Sequence, residues 1–444
     1  MHVLPSRPLR ARRGPALGGI AQVPGDKSIS QRALILGALA AGETRISGLL
    51  ESGDVESTAG ALRALGAELT RLGPGAWQVR GVAGQWRQPA GPLDFGNSGT
   101  GSRLMMGALA TTPIAVTFTG DASLRSRPMA RVLEPLTALG ARYEGEGPKA
   151  LMPVTLHGAK DAPAIDLHVP IASAQVKSAL LLAALGADGT TRVTQETPTR
   201  DHTEKMLKAF GADIRVTPLA RGEEISLRGP VRLTGCAVEV PRDPSSAAFP
   251  LVAVLIVPGS EIFLPGILLN ERRAGLIETL LEMGADITVE DKRVSGGEEI
   301  GDLKVRHSQL HGIEVPADRT AAMIDEYPVL AVAAAFARGT TRMRGLDELR
   351  VKESDRLAAI AAGLTANGAQ AVIAGDDLIV EGMAKVPGGG TVATHMDHRI
   401  AMSFLVMGLA SERPVTVDDT GMIATSFPDF ERLMAGLGAS LEAA

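Results

Sequence analysis

Cysteine is nearly absent from this 444-residue sequence, and its scarcity excludes two kinds of site. Cys236 is the one cysteine, so no intramolecular disulfide can form. Cysteine and histidine residues do not occur at the spacing of metal ligands, so we expect no metal. A chain without disulfides is typical of the cytoplasm, which is the location we expect.

The sequence also lacks an excess of positive charge and long apolar runs. Its net charge is -5 at pH 7, whereas proteins that bind nucleic acid or membrane surfaces usually carry a basic excess. Its apolar runs are shorter than the stretch of about 20 residues that crosses a bilayer. We therefore expect neither nucleic acid nor membrane as a partner. The 45% of hydrophobic residues is ample for a large core.

Acidic residues are missing from the N-terminal segment 1–19, which carries Arg7, Arg10, Arg12 and Arg13. The segment is short and has no apolar core of the secretory type. It is interpreted as a flexible N-terminal arm, with a transit peptide as the alternative.

What the sequence does contain is a sixfold repeat. Six amphipathic segments end in Gly-Ala at nearly even intervals, at Gly66, Gly140, Gly211, Gly284, Gly368 and Gly438. An apolar residue stands four positions before each glycine. Glycine at such a place can close a helix in the left-handed conformation, and the alternation of apolar and polar residues that follows predicts a strand. Each copy therefore predicts a helix, a glycine cap and a strand.

A second type of helix precedes each of these segments. Its members are apolar nearly all round, which predicts buried helices that each begin beside polar residues. They are predicted over residues 28–39, 100–109, 173–185, 247–257, 325–336 and 399–409.

The polar residues at these helix starts are candidates for binding anions, because free backbone N–H groups and the helix dipole favour negative charge there. Lys27 and Arg32, with the hydroxyls of Ser28 and Ser30, surround the first start. An ordinary capped helix with solvated charges is the alternative. The other such segments in the first half are 97–103, 125–129, 173–177 and 199–203.

The second half adds carboxylates beside cations. Asp325 and Glu326 open a buried helix, and Lys352 and Arg356 are four residues apart, which predicts one helix face, with Glu353 beside them. Carboxylates near cations can exchange protons with a substrate. Taken singly, each cluster is more often a set of surface ion pairs, but the recurrence of such clusters at comparable places in six copies favours a functional site.

Proline and glycine mark two places where the chain is expected to cross between domains, at Pro24–Ser28 and at Pro241–Ser246. We predict one domain of residues 1–23 plus 245–444 and an inserted domain of residues 24–244, with three repeats in each and a cleft between them.

Six ordered motifs resemble the 5-enolpyruvylshikimate-3-phosphate synthase family over residues 24–430. The motifs are Pro24-Gly25-Asp26-Lys27-Ser28 with Arg32, Gly96-Asn97-Ser98-Gly99-Thr100, Arg127-Pro128-Met129, Ser173-Ala174-Gln175, Arg350-Val351-Lys352-Glu353-Ser354-Asp355-Arg356 and Asp397-His398-Arg399. The resemblance implies an α/β fold of two similar domains, each an inverse α/β barrel of three βαβαββ repeats, with the active site in the interdomain cleft. It also implies a monomeric transferase of aromatic amino acid biosynthesis in the shikimate pathway.

The reaction that the resemblance implies joins phosphoenolpyruvate to shikimate 3-phosphate by addition and elimination, with release of phosphate and without a cofactor. Asp325 is then the base for the 5-hydroxyl, Glu353 the acid for the methylene carbon, and Lys27 offsets developing charge. Shikimate 3-phosphate would contact Lys27, Ser28, Arg32, Ser173, Ala174, Gln175, Arg200, Asp325 and Lys352. Phosphoenolpyruvate would contact Lys27, Asn97, Gly99, Thr100, Arg127, Gln175, Arg356, His398 and Arg399.

Some positions depart from part of the family. Thr425 stands where some members have lysine, Glu348 where some have asparagine, and Thr199-Arg200-Asp201 where some have a Ser/Tyr pair. These features resemble the second, often glyphosate-tolerant subgroup. Gly99 stands where strongly tolerant members can carry alanine, so we expect glyphosate to inhibit, with at most moderate tolerance.

Two alternatives compete with this prediction. The sister transferase that acts on UDP-N-acetylglucosamine typically uses a loop cysteine and an Asn-Gly run, whereas Cys236 lies in a strand-like stretch, 234–240. A non-catalytic repeat scaffold is the second alternative. The units of such a scaffold are usually shorter than these, and it gives no reason for Asp325, Lys352 and Glu353 beside cation-rich segments.

Overall fold

Six four-stranded sheets make up the strand content of residues 6–444, the part of the chain that the computed structural model describes. Each sheet belongs to one repeat. In three repeats the chain order is edge strand, buried helix, strand, amphipathic helix and two further strands, and in the other three one strand of this pattern comes from a distant part of the chain. The edge strand pairs in parallel with the next strand, and the other pairs are antiparallel. The predicted α/β fold of βαβαββ repeats is confirmed.

The chain divides by packing into two compact units, one of residues 6–24 with Pro241–Ala444 and one of Gly25–Val240. The predicted division into domains of residues 1–23 plus 245–444 and 24–244 remains a prediction.

Three sheets belong to the unit Gly25–Val240. In spatial order their strands are β14 (Ala237–Glu239), β3 (Glu43–Ser47), β5 (Ala76–Arg80) and β4 (Glu68–Gly73); β6 (Leu93–Asp94), β7 (Ala115–Thr119), β9 (Leu151–His157) and β8 (Arg142–Glu146); and β10 (Asp166–His168), β11 (Gly189–Gln195), β13 (Glu223–Gly229) and β12 (Ile214–Pro218).

The other three sheets belong to the unit with Pro241–Ala444. Their strands are β16 (Asp286–Ser295), β17 (Glu298–Arg306), β15 (Glu261–Leu268) and β2 (Gly18–Ile20); β18 (Glu314–Val315), β19 (Thr340–Met343), β21 (Asp377–Glu381) and β20 (Gln370–Ala374); and β22 (Thr391–Val392), β23 (Val415–Val417), β1 (Leu9–Arg12) and β24 (Ser440–Ala443).

The predicted buried helices are confirmed, with small differences at their ends. They are α1 (Lys27–Leu39), α3 (Gly99–Leu109), α6 (Ala174–Ala184), α8 (Pro244–Ile256), α11 (Tyr327–Ala335) and α13 (His398–Gly408). Every residue of α8, α11 and α13 is buried, because these helices are apolar all round and pack inside the unit.

The amphipathic helices and their glycine caps are confirmed as well. All six Gly-Ala glycines have positive φ, between +77° and +104°, and a strand follows each of them. The helices are α2 (Gly53–Ala64), α5 (Ala130–Leu136), α7 (His202–Ala209), α9 (Gly275–Glu282), α12 (Arg356–Ala366) and α14 (Phe430–Gly436). Two short helices, α4 (Ala122–Arg125) and α10 (Thr320–Met323), and 3-10 turns complete the described elements.

The prediction of a flexible N-terminal arm is wrong for the residues that the structure describes. Strand β1 lies between β23 and β24, and its residues Leu9 and Ala11 are buried. Strand β2 pairs in parallel with β15. The sixth repeat ends with β24 and takes its fourth strand, β1, from the start of the chain. No local sequence pattern indicates this pairing, because the partners are about 400 residues apart. Residues 1–5 of the predicted arm lie outside the described residues.

None of the helices in the described part of the chain combines the length and the apolar character that crossing a membrane requires.

Candidate active site

Three buried helix starts meet in the unit Gly25–Val240. Asp26, Ser98 and Ser173 cap them, accepting hydrogen bonds from the backbone N–H groups of residues 29, 101 and 176. The first turns of these three helices, all within the described residues, contain no acidic residue. The starts of α3 and α6, which are capped by neutral serines, are therefore favourable for an anion, whereas the start of α1 already holds the Asp26 carboxylate.

Side-chain hydrogen bonds hold these helix starts together. Gln31 Nε2 of α1 donates to Ser98 Oγ at 3.0 Å. Gln175 of α6 donates through Nε2 to Thr100 Oγ1 at 2.9 Å and accepts from Arg103 Nη1 at 2.8 Å. Gln175 and Thr100, predicted from separate motifs, are thus neighbours.

Arg127 joins the same group from the segment before α5. Its Nη2 donates to Asn97 Oδ1 at 2.7 Å and to Ser123 Oγ at 3.0 Å. A Cβ atom at Gly99 would lie 2.9 Å from Arg127 Nη1 and 3.3 Å from Arg103 Nη1. The structure thus brings Asn97, Gly99 and Arg127 together, and a side chain at residue 99 would require the Arg127 guanidinium group to shift.

Lys27 and Arg32 project from the first two turns of α1. Lys27 Nζ forms an ion pair of 2.8 Å with Asp54 Oδ2 on α2. Arg32 is buried and donates to Thr203 Oγ1 at 2.7 Å and to Ser178 Oγ at 2.8 Å. Arg32 therefore ties α1 to α6 and α7.

Ser30 does not have the role expected of it. Its side chain is fully buried, and its Oγ accepts a hydrogen bond from the Leu50 N–H at 3.0 Å. The hydroxyl therefore serves the backbone that follows β3 instead of adding to the preference of the helix start for an anion.

Arg200 lies in the turn between β11 and α7, while Ser173 and Ala174 form the start of α6. The predicted binding residues of this unit are called cluster A: Lys27, Ser28, Arg32, Asn97, Gly99, Thr100, Arg127, Ser173, Ala174, Gln175 and Arg200.

A second cluster in the unit with Pro241–Ala444 is centred on Arg356, the first residue of α12. Its guanidinium is fully buried and forms ion pairs of 2.6 Å with Glu353, 2.8 Å with Asp397 and 3.1 Å with Asp325. Burial acts to lower the pKa of Arg356, but the three carboxylates outweigh it and raise the pKa. Arg356 therefore stays charged and holds the two predicted catalytic carboxylates.

Arg399 and Asp397 share the start of α13. Asp397 Oδ1 accepts from the Arg399 N–H at 2.9 Å and caps the helix. Arg399 Nε lies 3.7 Å from Asp325 Oδ1, so both arginines contact one carboxylate. His398 is the buried first residue of the helix. We call Asp325, Lys352, Glu353, Arg356, His398 and Arg399 cluster B.

The prediction that Lys352 and Arg356 lie on one helix face is wrong. Lys352 follows a 3-10 turn, Asp347–Val351, whereas α12 begins at Arg356. Lys352 is partly exposed as a residue, yet burial of its ammonium group lowers its pKa, against the attraction of Asp325 and Glu348. The site gains a lysine that is easier to deprotonate than a surface lysine.

Several contact residues were missed from the sequence. Asp397 belongs to the Asp397-His398-Arg399 motif, but no role was predicted for it. Its position just before a predicted helix was the sequence feature that indicates a cap. Asp54 and Lys177 carried no local signal, because their partners come from other helices or turns.

Known proteins resemble this chain along nearly its whole length. A model of the family EPSP synthase (3-phosphoshikimate 1-carboxyvinyltransferase) matches residues 12–434. A 3-phosphoshikimate 1-carboxyvinyltransferase of Parvibaculum lavamentivorans is 61% identical over 436 residues, which cover 97% of this chain and 96% of the relative. One from Methylorubrum populi is 58% identical, covering 98% of this chain and 97% of the relative.

Solved structures agree with these sequence relatives. EPSP synthase from Acinetobacter baumannii has a TM-score of 0.86 and 42% identity, and the match covers 99% of this chain and 100% of that one. The enolpyruvyl transferase NikO from Streptomyces tendae has a TM-score of 0.77 at 20% identity and covers 99% of both chains. At that identity the likeness concerns the fold alone.

Proposed function

The chain belongs to the EPSP synthase family, and we propose that clusters A and B together carry out the reaction of that family. The enzyme transfers the enolpyruvyl group of phosphoenolpyruvate to the 5-hydroxyl of shikimate 3-phosphate and releases inorganic phosphate. Both substrates are polyanions. The observation that carries the proposal is the collection of cationic side chains at the starts of buried helices, where the helix dipoles add to their attraction.

Shikimate 3-phosphate is assigned mainly to cluster A. Ser173 and Gln175 at the start of α6, with Arg200, offer a hydroxyl, an amide and a guanidinium to its phosphate. Ala174 lies between them and contributes its backbone. Ser28 and Arg32 are assigned to the ring, and Lys352 and Asp325 complete the set from cluster B.

Phosphoenolpyruvate is assigned to Lys27, Asn97, Gly99, Thr100, Arg127 and Gln175 of cluster A and to Arg356, His398 and Arg399 of cluster B. Arginine pairs with carboxylate and phosphate in a bidentate manner, which suits a substrate that carries both. Asn97 and Gln175 support this role, because they accept hydrogen bonds from Arg127 and Arg103 and so hold the guanidinium groups in place.

Asp325 is assigned as the base and Glu353 as the acid. Asp325 takes the proton of the 5-hydroxyl while the hydroxyl oxygen bonds to C2 of phosphoenolpyruvate, and Glu353 gives a proton to C3, so the methylene becomes a methyl. Elimination then breaks the bond from C2 to the phosphate oxygen while the methyl returns a proton to the Glu353 carboxylate, and the proton held by Asp325 goes to the departing phosphate, which leaves the enolpyruvyl ether and inorganic phosphate. Lys27 offsets negative charge during both steps.

Arg356 supports these roles through its position. It contacts Asp325 at 3.1 Å and Glu353 at 2.6 Å, so one buried cation fixes both carboxylates. Asp397, just before α13, holds the same guanidinium at 2.8 Å. A rigidly held acid and base can act on two carbons and one hydroxyl without rearrangement.

Release of phosphate from the two substrates tests the proposal. We expect the parent enzyme to release one phosphate per turnover, and Glu353→Gln and Asp325→Ala to lower kcat by about 10²- to 10⁴-fold, the usual contribution of an acid or base. Glu290→Gln, an exposed glutamate on β16, is the matched control and should keep the parent rate. Pure, folded protein that releases no phosphate would favour the scaffold alternative instead.

Finer assignments belong to the same proposal. The Thr199-Arg200-Asp201 run, Glu348 and Thr425 support membership of the second, often glyphosate-tolerant subgroup, and Gly99 supports inhibition by glyphosate with at most moderate tolerance. Both clusters come from one chain, which supports a monomer. The cytoplasm fits a chain whose one cysteine, Cys236, forms no disulfide.

A further inference from the structure

Lys177 is a fully buried lysine that the reaction described above does not use. It lies in the first half of α6, with no part of its side chain exposed. Its Nζ is 2.6 Å from Glu204 Oε1 on α7 and 3.8 Å from Glu223 Oε1 on β13, and both carboxylates are themselves buried. A buried charge is costly unless it is paired, so these groups depend on one another.

The same ammonium group also holds the turn that carries Arg200. Lys177 Nζ donates to the carbonyl oxygen of Thr199 at 3.2 Å. Thr199 Oγ1 donates in turn to Gln195 Oε1 at 3.2 Å, and Gln195 Nε2 donates to Glu223 Oε1 at 2.7 Å. Thr199 is thereby anchored through both its backbone and its side chain.

The position of Lys177 along α6 gives this anchor a function. Lys177 follows Ser173 by about one turn of helix and Gln175 by half a turn, while Thr199 immediately precedes Arg200. The ammonium group therefore links the helix that carries Ser173 and Gln175 to the turn that carries Arg200. A shift of that turn would separate the three groups assigned to one phosphate.

We propose that Lys177 is a positioning residue that sets the distance between the start of α6 and Arg200, and so determines the affinity for the phosphate of shikimate 3-phosphate. This inference rests on the proposed function. Lys177 acts through Arg200 and does not itself touch substrate. A purely structural ion pair would stabilise the fold without a preference for either substrate.

Steady-state kinetics of the full-length protein separate these two roles. We expect Lys177→Met to raise KM for shikimate 3-phosphate about tenfold or more, the scale of one lost bond to a charged group. KM for phosphoenolpyruvate and kcat should change less than about twofold, because their residues are held by other contacts. Lys208→Met, an exposed lysine of α7, is the matched control and should change none of these values.

A double-variant cycle shows whether Lys177 acts through Arg200. Arg200→Ala should raise KM for shikimate 3-phosphate, and adding Lys177→Met should then raise it by less than about threefold more, because the residue being positioned is gone. If the two substitutions raise KM for shikimate 3-phosphate independently, so that their factors multiply in the double variant, the inference is wrong. It is also wrong if Lys177→Met raises this KM and Arg200→Ala does not.

Loss of folding would not leave the inference untested. Lys177→Met leaves Glu204 and Glu223 beside a missing cation, so Lys177→Met with Glu204→Gln removes the charge of the nearer carboxylate while still breaking the link to Thr199. If this folded variant binds shikimate 3-phosphate as tightly as the parent, the inference is wrong. A parent enzyme without phosphate release would instead overturn the proposed function, and the two failures are thus distinguishable.

Discussion

At the residue scale, cationic side chains of the two clusters are held by ion pairs with carboxylates. Arg356 is fully buried but contacts three carboxylates, and Lys27 pairs with Asp54 at 2.8 Å. The raised pKa of Arg356 keeps its charge in place, and the ion pairs hold both side chains in one orientation, which suits the binding of anions.

Lys352 predicts a pH dependence. Burial lowers its pKa below the ordinary lysine value of about 10.4, so the cation is lost as pH rises through that lowered pKa. KM for shikimate 3-phosphate should therefore rise on the alkaline side, before an ordinary lysine would titrate. The measurement is KM against pH for the parent and for Lys352→Arg, whose guanidinium stays charged and should move that rise to higher pH.

Lys292→Arg, at an exposed lysine of β16, is the control for the same change of residue type. If KM for shikimate 3-phosphate rises at the same alkaline pH in the parent and in Lys352→Arg, a group other than Lys352 causes the rise.

Gly99 predicts a steric effect on inhibition. An added Cβ would lie 2.9 Å from Arg127 Nη1, closer than real contacts, so the guanidinium must move. We expect Gly99→Ala to weaken inhibition by glyphosate, which is longer than phosphoenolpyruvate, and to raise KM for phosphoenolpyruvate by a smaller factor. Gly60→Ala is the control, because a Cβ there meets no atom within 4 Å. Inhibition of Gly99→Ala as strong as that of the parent would contradict the steric explanation.

At the element scale, the repeat determines where along the chain the polar residues of the site occur. Each buried helix follows a polar residue, and in five of the six, all except α11, the side chain of that residue caps the first turn. The sequence predicted these helices because apolar content and capping residues are local signals. It did not predict that Gln31, Ser98, Thr100 and Gln175 would hold three of the starts together.

The N-terminal strand gives a prediction at the same scale. Ala11 of β1 is fully buried between β23 and β24. Ala11→Asp would place an unpaired charge there, and we expect it to lower the free energy of unfolding by more than about 3 kcal/mol. Arg12→Ala, at the next and exposed residue, removes a surface ion pair with Glu442 and should cost less than about 1 kcal/mol. Urea unfolding midpoints compare the two, and equal midpoints would mean that β1 contributes little to the fold.

The whole molecule shows how the repeats are shared along the chain. The first repeat of the unit Gly25–Val240 takes its edge strand, β14, from the end of that unit, and the sixth takes β1 from the N-terminus. Each unit is therefore closed by residues distant in sequence. The Asp243 N–H donates to the Pro24 carbonyl at 2.9 Å, which joins the two places where the chain passes between the units.

At the scale of the whole molecule, we expect two ligands to stabilise the protein to different extents. Shikimate 3-phosphate at 100 times its Kd should raise the free energy of unfolding by about 2.7 kcal/mol. Unphosphorylated shikimate at the same concentration should raise it far less, because Ser173, Gln175 and Arg200 would have no phosphate to hold. Thermal unfolding with each ligand measures how much that ligand stabilises the protein. The difference in stabilisation between the two ligands should be smaller in Arg200→Ala. Equal stabilisation of the parent by both ligands would contradict the assignment of these residues to the phosphate.

The two alternatives are also decided at this scale. The match to the EPSP synthase family over residues 12–434 favours that family over the sister transferase. The predicted strand-like stretch 234–240 is shorter in the structure, where β14 covers only Ala237–Glu239 and Cys236 lies just before it. Burial raises the pKa of its thiol, which makes it a poorer acid for catalysis than an exposed cysteine. Six repeats that each build a complete four-stranded sheet with its own helices are also unlike the short stacked units of a solenoid.

The sequence by itself determined the repeat, the buried helices, the glycine caps at positive φ, the family and the residue types available at the helix starts. These properties depend on periodicity, capping and motifs that lie close together along the chain. Only the tertiary structure decided that β1 completes a sheet, that Arg356 holds Asp397 from a different helix, and that Lys177 reaches Thr199. Such pairs form because packing brings separate elements together, and no local pattern specifies which buried charge will face which partner.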